Sequence, residues 1–403
     1  MPPTAAMSRI LLNAIRQGIR PPSCVVRCAA VTPSQQHRFR SAAAAELDVQ
    51  MSRGPKFAKL RDRSILRVAG SDAADLIQGL VPNDVNILNN QKVMYTMFLS
   101  SAGRVLYDVM VYHCDEAGTG KPGEQCFLIE CDKSVTTDLQ RHMVVYRVRK
   151  KADVSYFGDK YQVWVVFDPD SNEDTPLTFG TETNGSNILM RVNDPRIGGF
   201  AQRVVTQTDV ESATLSEALP ECKECPTDWY TVHRFRWGVP EGVIDLPPAE
   251  ALPLESNLAF MNGVSFEKGC YLGQELTART HHTGVIRKRI MPLEITGSTH
   301  KENTGTDESG SKCGDGLLTP GSVITTPDGK DAGRARGHLG QYGLGLMRVN
   351  VCNHHGHFWC ADVRRGSSLK LECHAPEWFG PENVNRKRVV KVVKKKLQMK
   401  MTS

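Results

Sequence analysis

No stretch of the 403 residues reaches the roughly 18 consecutive apolar side chains that a membrane-crossing helix needs, and the longest apolar runs are strand-like pieces such as Val163 to Phe167. A helical integral membrane protein is therefore excluded. The phosphate-cradling pattern G-x-x-x-x-G-K-[ST] is missing. The glycines from Gly337 to Gly345 lack both the G-x-G-x-x-G spacing and the strand-turn-helix setting of a dinucleotide site. No secretory apolar segment precedes the twelve irregularly spaced cysteines, which fits reduced thiols better than a disulfide framework. Asn184-Gly-Ser186 then has the form of a glycosylation sequon only.

Acidic side chains are absent from two terminal segments. Residues 1–45 hold six arginines, no lysine and no Asp or Glu, and Ile10, Leu11, Ala14, Ile15 and Ile19 recur at helical spacing, mostly opposite Arg9, Arg16 and Arg20. A cationic, amphipathic, acid-free leader is the composition of a mitochondrial transit peptide, with Arg38 to Ser41 as a processing neighbourhood. At the other end, residues 386–403 carry eight Lys and Arg and no acid. The whole-chain charge is +6, so residues 46–385 carry −8. A pI of about 8.7 thus gives no support for nucleic-acid binding by the folded body. The basic tail, 381–403, would attract phosphates, yet no aromatic for base stacking lies within its basic run; a solvated tail or a helix touching anionic lipid remain equally open.

Hydrophobic content of 40% and 23% charged residues describe an ordinary globular chain of two or three domains. Patterning predicts strands over Ser64–Val68, Val93–Leu99, Arg104–Tyr112, Cys126–Glu130 and Val144–Val148, with helices over Ala73–Leu80 and Ser134–His142. Strands and helices mixed without regular alternation indicate an α+β fold. Residues 168–185 and 297–316 read as polar loops, the second as a linker between domains. Short β-like segments over 317–380 predict a small all-β barrel or sandwich.

The most unusual segment runs from Val264 to Glu275 and contains Lys268-Gly-Cys-Tyr-Leu-Gly-Gln-Glu275. Gly269 and Gly273 bracket Cys270, as expected where the backbone approaches another group closely or takes positive φ. A neighbouring Lys268 favours the thiolate, the form that attacks or ligates, and a helix is predicted from Gln274 onward. Cys270 also admits the reading of an inert buried thiol. Cys222 and Cys225 have the spacing of one half of a zinc site, with no second pair nearby, and free thiols are the better reading. Cys352, the histidines up to His357 and Cys360 gather soft ligands in nine residues, with alternation on strands arguing against convergence. His281 and His282 are candidates for a base or a ligand, or solvent-exposed residues after a helix.

Lys268 to Glu275 resembles the signature of the folate-binding YgfZ-like proteins, relatives of the glycine-cleavage aminomethyltransferase, or T-protein. Gly238 to Pro248, Leu252 to Leu258 and Thr277 to Gly284 extend the resemblance toward the mitochondrial iron-sulfur assembly factors of that group. Gly79 to Val85 matches the family's N-terminal turn with Pro82 in place of a usual Thr, and Tyr107-Asp108 stands where the aminomethyltransferases carry Asp-Asp. The resemblance implies a three-lobed cloverleaf around a central channel, with two interleaved α+β lobes over 46–296 and then a C-terminal β-barrel. It also implies a tetrahydrofolate-type ligand in that channel. Asp108, Arg234 and Glu255 would contact it, together with signature residues Lys268, Gly269, Tyr271, Gly273 and Gln274. A carboxylate there would meet the pterin amino groups and a cation the glutamate tail.

The implied function is support of four-iron, four-sulfur protein maturation in the mitochondrial matrix, with A-type scaffold proteins as partners. No C-x2-C-x2-C run exists in the chain, so Cys270 alone cannot hold a four-iron cluster. It is expected to complete a cluster shared with a partner, or to help release one. The competing reading is a folate-dependent aminomethyl transferase, with Asp108 as acid or base. It is weakened by loss of the Asp pair and by a signature centred on cysteine.

Overall fold

Side-chain alternation along the strands decides which layer each residue enters. In this computed structural model, residues 54–114, 123–171, 188–299, 318–352, 357–362 and 367–379 are described. The chain opens with β1 (Lys56–Lys59), β2 (Arg63–Gly70) and α1 (Ala73–Gln78), then β3 (Val93–Leu99), β4 (Val105–His113) and β5 (Gln125–Asp132). Next come α2 (Thr136–Arg147), β6 (Asp153–Tyr156), β7 (Tyr161–Phe167), β8 (Ile188–Asn193) and β9 (Gln202–Gln207). They are followed by α3 (Ser212–Ala218), β10 (Lys223–Glu224), α4 (Thr227–Trp237), α5 (Gly242–Asp245) and α6 (Gln274–Thr283). The last part holds β11 (Lys288–Thr299), β12 (Val323–Thr325), β13 (Asp331–Leu339), β14 (Tyr342–Arg348), α7 (Val349–Cys352), β15 (His357–Asp362) and β16 (Ser367–Cys373).

Two five-stranded sheets result, ordered β3-β4-β5-β2-β6 and β10-β1-β7-β9-β8, and the last six strands close a barrel in the order β11-β14-β13-β12-β15-β16. In β3, Val93, Tyr95, Met97 and Leu99 enter a core shared with the other sheet, while Met94 and Phe98 enter one beneath α1 and α2. β7 repeats the scheme from the opposite side: Val163, Val165 and Phe167 face the shared core, and Trp164 and Val166 pack with Leu215 and Leu219 of the α3 segment. Each sheet is thus buried on both faces, so neither strand shows the apolar-polar alternation of a half-exposed sheet. The chain is α+β. β1 belongs to the second sheet although β2 to β6 build the first, so the two sheets are interleaved in sequence.

Two elements differ from expectation. The predicted strand Val144–Val148 does not form; α2 continues to Arg147. The β-branched valines carry strand propensity, but the place beside β2 is taken by β6. The barrel also begins earlier than the 297–316 loop: β11 pairs with both β14 and β16. Pro292 and Gly297 inside β11 blurred its pattern. The leader, the sequon and the basic tail lie outside the described residues.

Candidate functional site

The signature segment lies against the turn at 79–83, two stretches that are far apart in sequence. Ser265 N–H donates to Pro82 O at 3.0 Å and Leu272 N–H to Gly79 O at 3.0 Å. Lys268 drives its ammonium into this turn and donates to Gln78 O at 2.5 Å, Val81 O at 2.7 Å and Asn83 O at 3.1 Å. Burial pulls its pKa down to about 8, while the three carbonyls use the ammonium's three hydrogens. Lys268 therefore clamps the segment rather than serving the Cys270 thiol, contrary to the sequence expectation.

α6 seats on the β3–β4 hairpin through two facing glycines. Gly273 has φ 77°, and a Cβ there would lie 2.3 Å from Ser100 O; Gly103, at φ 76°, would meet Leu276 and Gly273 O within 2.8 Å. The expected need for glycine holds at Gly273 and not at Gly269, where nothing lies within 4 Å of a built Cβ. Gln274 then spans the turn: its Oε1 accepts from Tyr271 N–H at 3.1 Å and its Nε2 lies 3.6 Å from Cys270 Sγ. The Tyr271 ring lies 5.2 Å from the Lys268 ammonium.

Among the nine cysteines in the described residues, Cys270 alone is exposed. Burial pushes the Cys131, Cys222 and Cys225 thiols up to about 12. Cys352 sits 3.6 Å from Cys373. No three His, Cys, Asp or Glu residues converge to hold a metal among the described residues. His281 and His282 are exposed in the last turn of α6, with Phe266 stacked on His281 at 3.5 Å between centroids.

Asp108 lies deep between the sheets, 3% exposed. Its Oδ1 accepts from Gly242 N–H at 3.0 Å, and its Oδ2 lies 3.5 Å from Arg63 Nη1. Burial raises its pKa, and one long contact to Arg63 does not reverse that. Around it is a network the sequence reading missed. Arg63 donates to Glu130 at 2.8 Å, Tyr112 OH to Glu130 at 2.5 Å, and Arg196 to Asp194 at 2.7 Å and 3.0 Å. Glu241 accepts from Arg203, from Arg196 at 2.9 Å and from Tyr230 OH at 3.1 Å. Burial alone would raise the Glu241 carboxyl, but Arg203, Arg196, Arg63 and Arg234 outweigh it and hold it well below the usual range. The available signal was a charge inside an apolar strand pattern: Glu130 in β5 and Arg203 in β9 both take core-facing positions.

Arg234 is joined to Asp245 at 2.7 Å, and the same Asp245 oxygen accepts from Glu241 N–H at 3.0 Å. Asp108 and Arg234 thus meet opposite ends of the short α5 segment without touching each other. Glu255 is half-buried in a separate group; burial raises its carboxyl against the opposing charges of Lys288, Arg104 and Arg336. Arg336 of β13, also missed, has a buried Nε with no hydrogen-bond partner. A cavity of about 430 Å³ between α4 and the barrel is lined by Arg236, Trp237, Tyr342, His374 and Trp378. None of the predicted site residues lines it.

Two facing sheets with their helices, followed by a closed barrel, make an aminomethyltransferase-like fold. The structure matches the glycine cleavage system aminomethyltransferase T from Bartonella henselae with TM-score 0.59 at 12% identity, over 83% of this chain and 89% of that one. Residues 287–381 match the family described as CAF17, C-terminal beta-barrel domain. The mouse mitochondrial iron-sulfur cluster assembly factor IBA57 is 40% identical over 72% of this chain and 76% of its own length. For the human protein of that name the values are 37%, 80% and 84%, and for the Neurospora crassa homologue 36%, 69% and 62%. The chain belongs to the IBA57 family of mitochondrial iron-sulfur cluster assembly factors. Its relatives' mitochondrial location agrees with the acid-free leader, and the protein is mitochondrial.

Proposed function

We propose that this protein supports maturation of four-iron, four-sulfur proteins in the mitochondrial matrix by presenting Cys270 as one ligand of a cluster whose other ligands come from an A-type scaffold partner. The observation that carries this reading is the exposure of Cys270 on a segment immobilised by Lys268 and Gly273, with no group of three His, Cys, Asp or Glu ligands among the described residues. A thiolate held this way offers one bond to a cluster and leaves the remaining iron sites to a partner. The cluster is cargo, passed on rather than kept.

A tetrahydrofolate-type ligand would draw on polar groups in two places, Asp108 between the sheets and Glu255 with Arg336 beside the barrel. Asp108 and Glu255 supply carboxylate acceptors, Tyr95 keeps a buried hydroxyl with no partner, and Arg336 keeps an unused buried Nε. When bound, the folate would supply ring nitrogens able to carry a one-carbon unit. Lys268, Gly269, Tyr271, Gly273 and Gln274 would act by shaping the adjoining wall. Aminomethyl transfer is the second reading, favoured by the retained Asp108.

The test is to co-purify the protein with an A-type scaffold partner and record the visible and electron paramagnetic resonance spectra of the bound cluster, wild type against Cys270→Ser. Loss of the bridged cluster with retained folding is expected. A Cys270→Ser complex with an unchanged cluster spectrum and full complementation would sink the proposal. Tetrahydrofolate binding, read by titration calorimetry, should weaken in Asp108→Asn. Turnover of a methylene or aminomethyl donor would favour the transferase.

A further inference from the structure

The last turn of α2 and the residues after it are apolar, basic and turned to solvent. Thr136, Leu139 and Met143 form the buried stripe of this helix, and continuing that spacing would bury Tyr146 or Arg147. Instead Val144, Val145 and Tyr146 are exposed, Val145 by 65%, and Val148 by 81%; Tyr156 of neighbouring β6 is exposed as well. Four of the large exposed apolar side chains of the described residues thus fall within the five positions 144–148. Single exposed apolar residues need no explanation, whereas a cluster marks a contact surface.

The same stretch is strongly cationic. Arg141, Arg147, Arg149, Lys150 and Lys151 lie between Asp138 and Asp153 with no acid among them, in a body whose charge is −8. Val148 adds a separate indication. It ends α2 at φ 52°, a conformation glycine takes freely and a β-branched residue resists. The chain holds a valine there all the same, and it is the most exposed of the large apolar side chains of the described residues.

We infer that this patch is an anionic-membrane contact: the valines and Tyr146 enter the headgroup boundary while Arg149, Lys150 and Lys151 meet lipid phosphates, Arg141 being paired with Asp138 and Arg147 donating to Ala152 O. Apolar residues interleaved with Arg and Lys at a helix end, with aromatic rings of amphipathic kind beside them, are what an interfacial lipid surface binds. Aliphatic valines offer nothing to stack on a base, which argues against a nucleic-acid partner.

The experiment is flotation of the full chain with vesicles of phosphatidylcholine alone and of phosphatidylcholine mixed with phosphatidylglycerol. Binding to the mixed vesicles only, weakened by salt, is expected. Arg149→Gln and Lys150→Gln should each lower the affinity about five-fold, the value of one cation near an anionic surface. Val148→Gly separates folding from binding, because it should melt no lower than wild type and yet bind several-fold more weakly. The basic tail is present in every variant, so any loss belongs to the patch. Equal binding to both vesicles, no binding, or variants that bind like wild type would overturn the inference. So would a patch whose substitutions abolish binding to a labelled oligonucleotide while leaving vesicle binding unchanged.

Discussion

Glu241 and Asp108 are two buried carboxylates of one network, and replacing each by its amide should have unequal effects. Glu241 accepts from Arg203, Arg196 and Tyr230, and its pKa lies well below the usual 4.5. The ionised form is therefore favoured by folding. That stability is fully present above about pH 4.5 and is lost as the pH falls toward the folded value. Glu241→Gln leaves two buried guanidinium groups short of a counter-charge and should cost about 3 to 5 kcal/mol. Asp108 has a raised pKa, so its charge is a penalty that grows as the pH rises above the ordinary 3.8. An asparagine keeps an acceptor for Gly242 N–H, and Arg63 keeps Glu130 at 2.8 Å. Asp108→Asn should thus change stability at pH 7 by no more than about 1 kcal/mol, in either direction. Urea denaturation followed by tryptophan fluorescence at pH 7 and pH 5 reads both. Equal, large losses in the two variants would refute the assignment of opposite roles.

Gly273→Ala should cost about 1 to 3 kcal/mol from its positive φ alone, with a further loss from Ser100 O, whereas Gly269→Ala should stay within about 0.5 kcal/mol; thermal melting of both variants decides it. Iodoacetamide at pH 7, mapped by mass spectrometry, should modify Cys270 before any other cysteine of the described residues, and Cys131, Cys222 and Cys225 should stay unmodified because burial keeps them protonated up to about 12. Early labelling of Cys222 would show that its cover opens in solution.

Much of the fold was legible because strand alternation and turn residues are local. Val93–Leu99 was read with its observed ends, and the short β-like segments after 317 do belong to a closed barrel. Val144–Val148 was misread because propensity scores residues against a partner strand that the fold withholds. The signature around Cys270 was legible as a pattern of residue types, yet the job of Lys268 was not: its three acceptors lie some 190 residues away in sequence. The charge network was equally hidden, since Arg63, Glu130, Arg203 and Glu241 meet only once two sheets face each other.

The four residues of β1 set the order in which the molecule can be completed. β1 lies between β10 and β7 and pairs with Phe167 and Val166 across about 110 residues, while Lys223 N–H donates to Pro55 O at 3.0 Å. A chain synthesised from its N-terminus holds this strand unpaired until β7 follows, by which time the other sheet has all its strands. Folding of the second sheet is therefore the late, non-local step. Truncation past Pro55 would remove an inner strand from it.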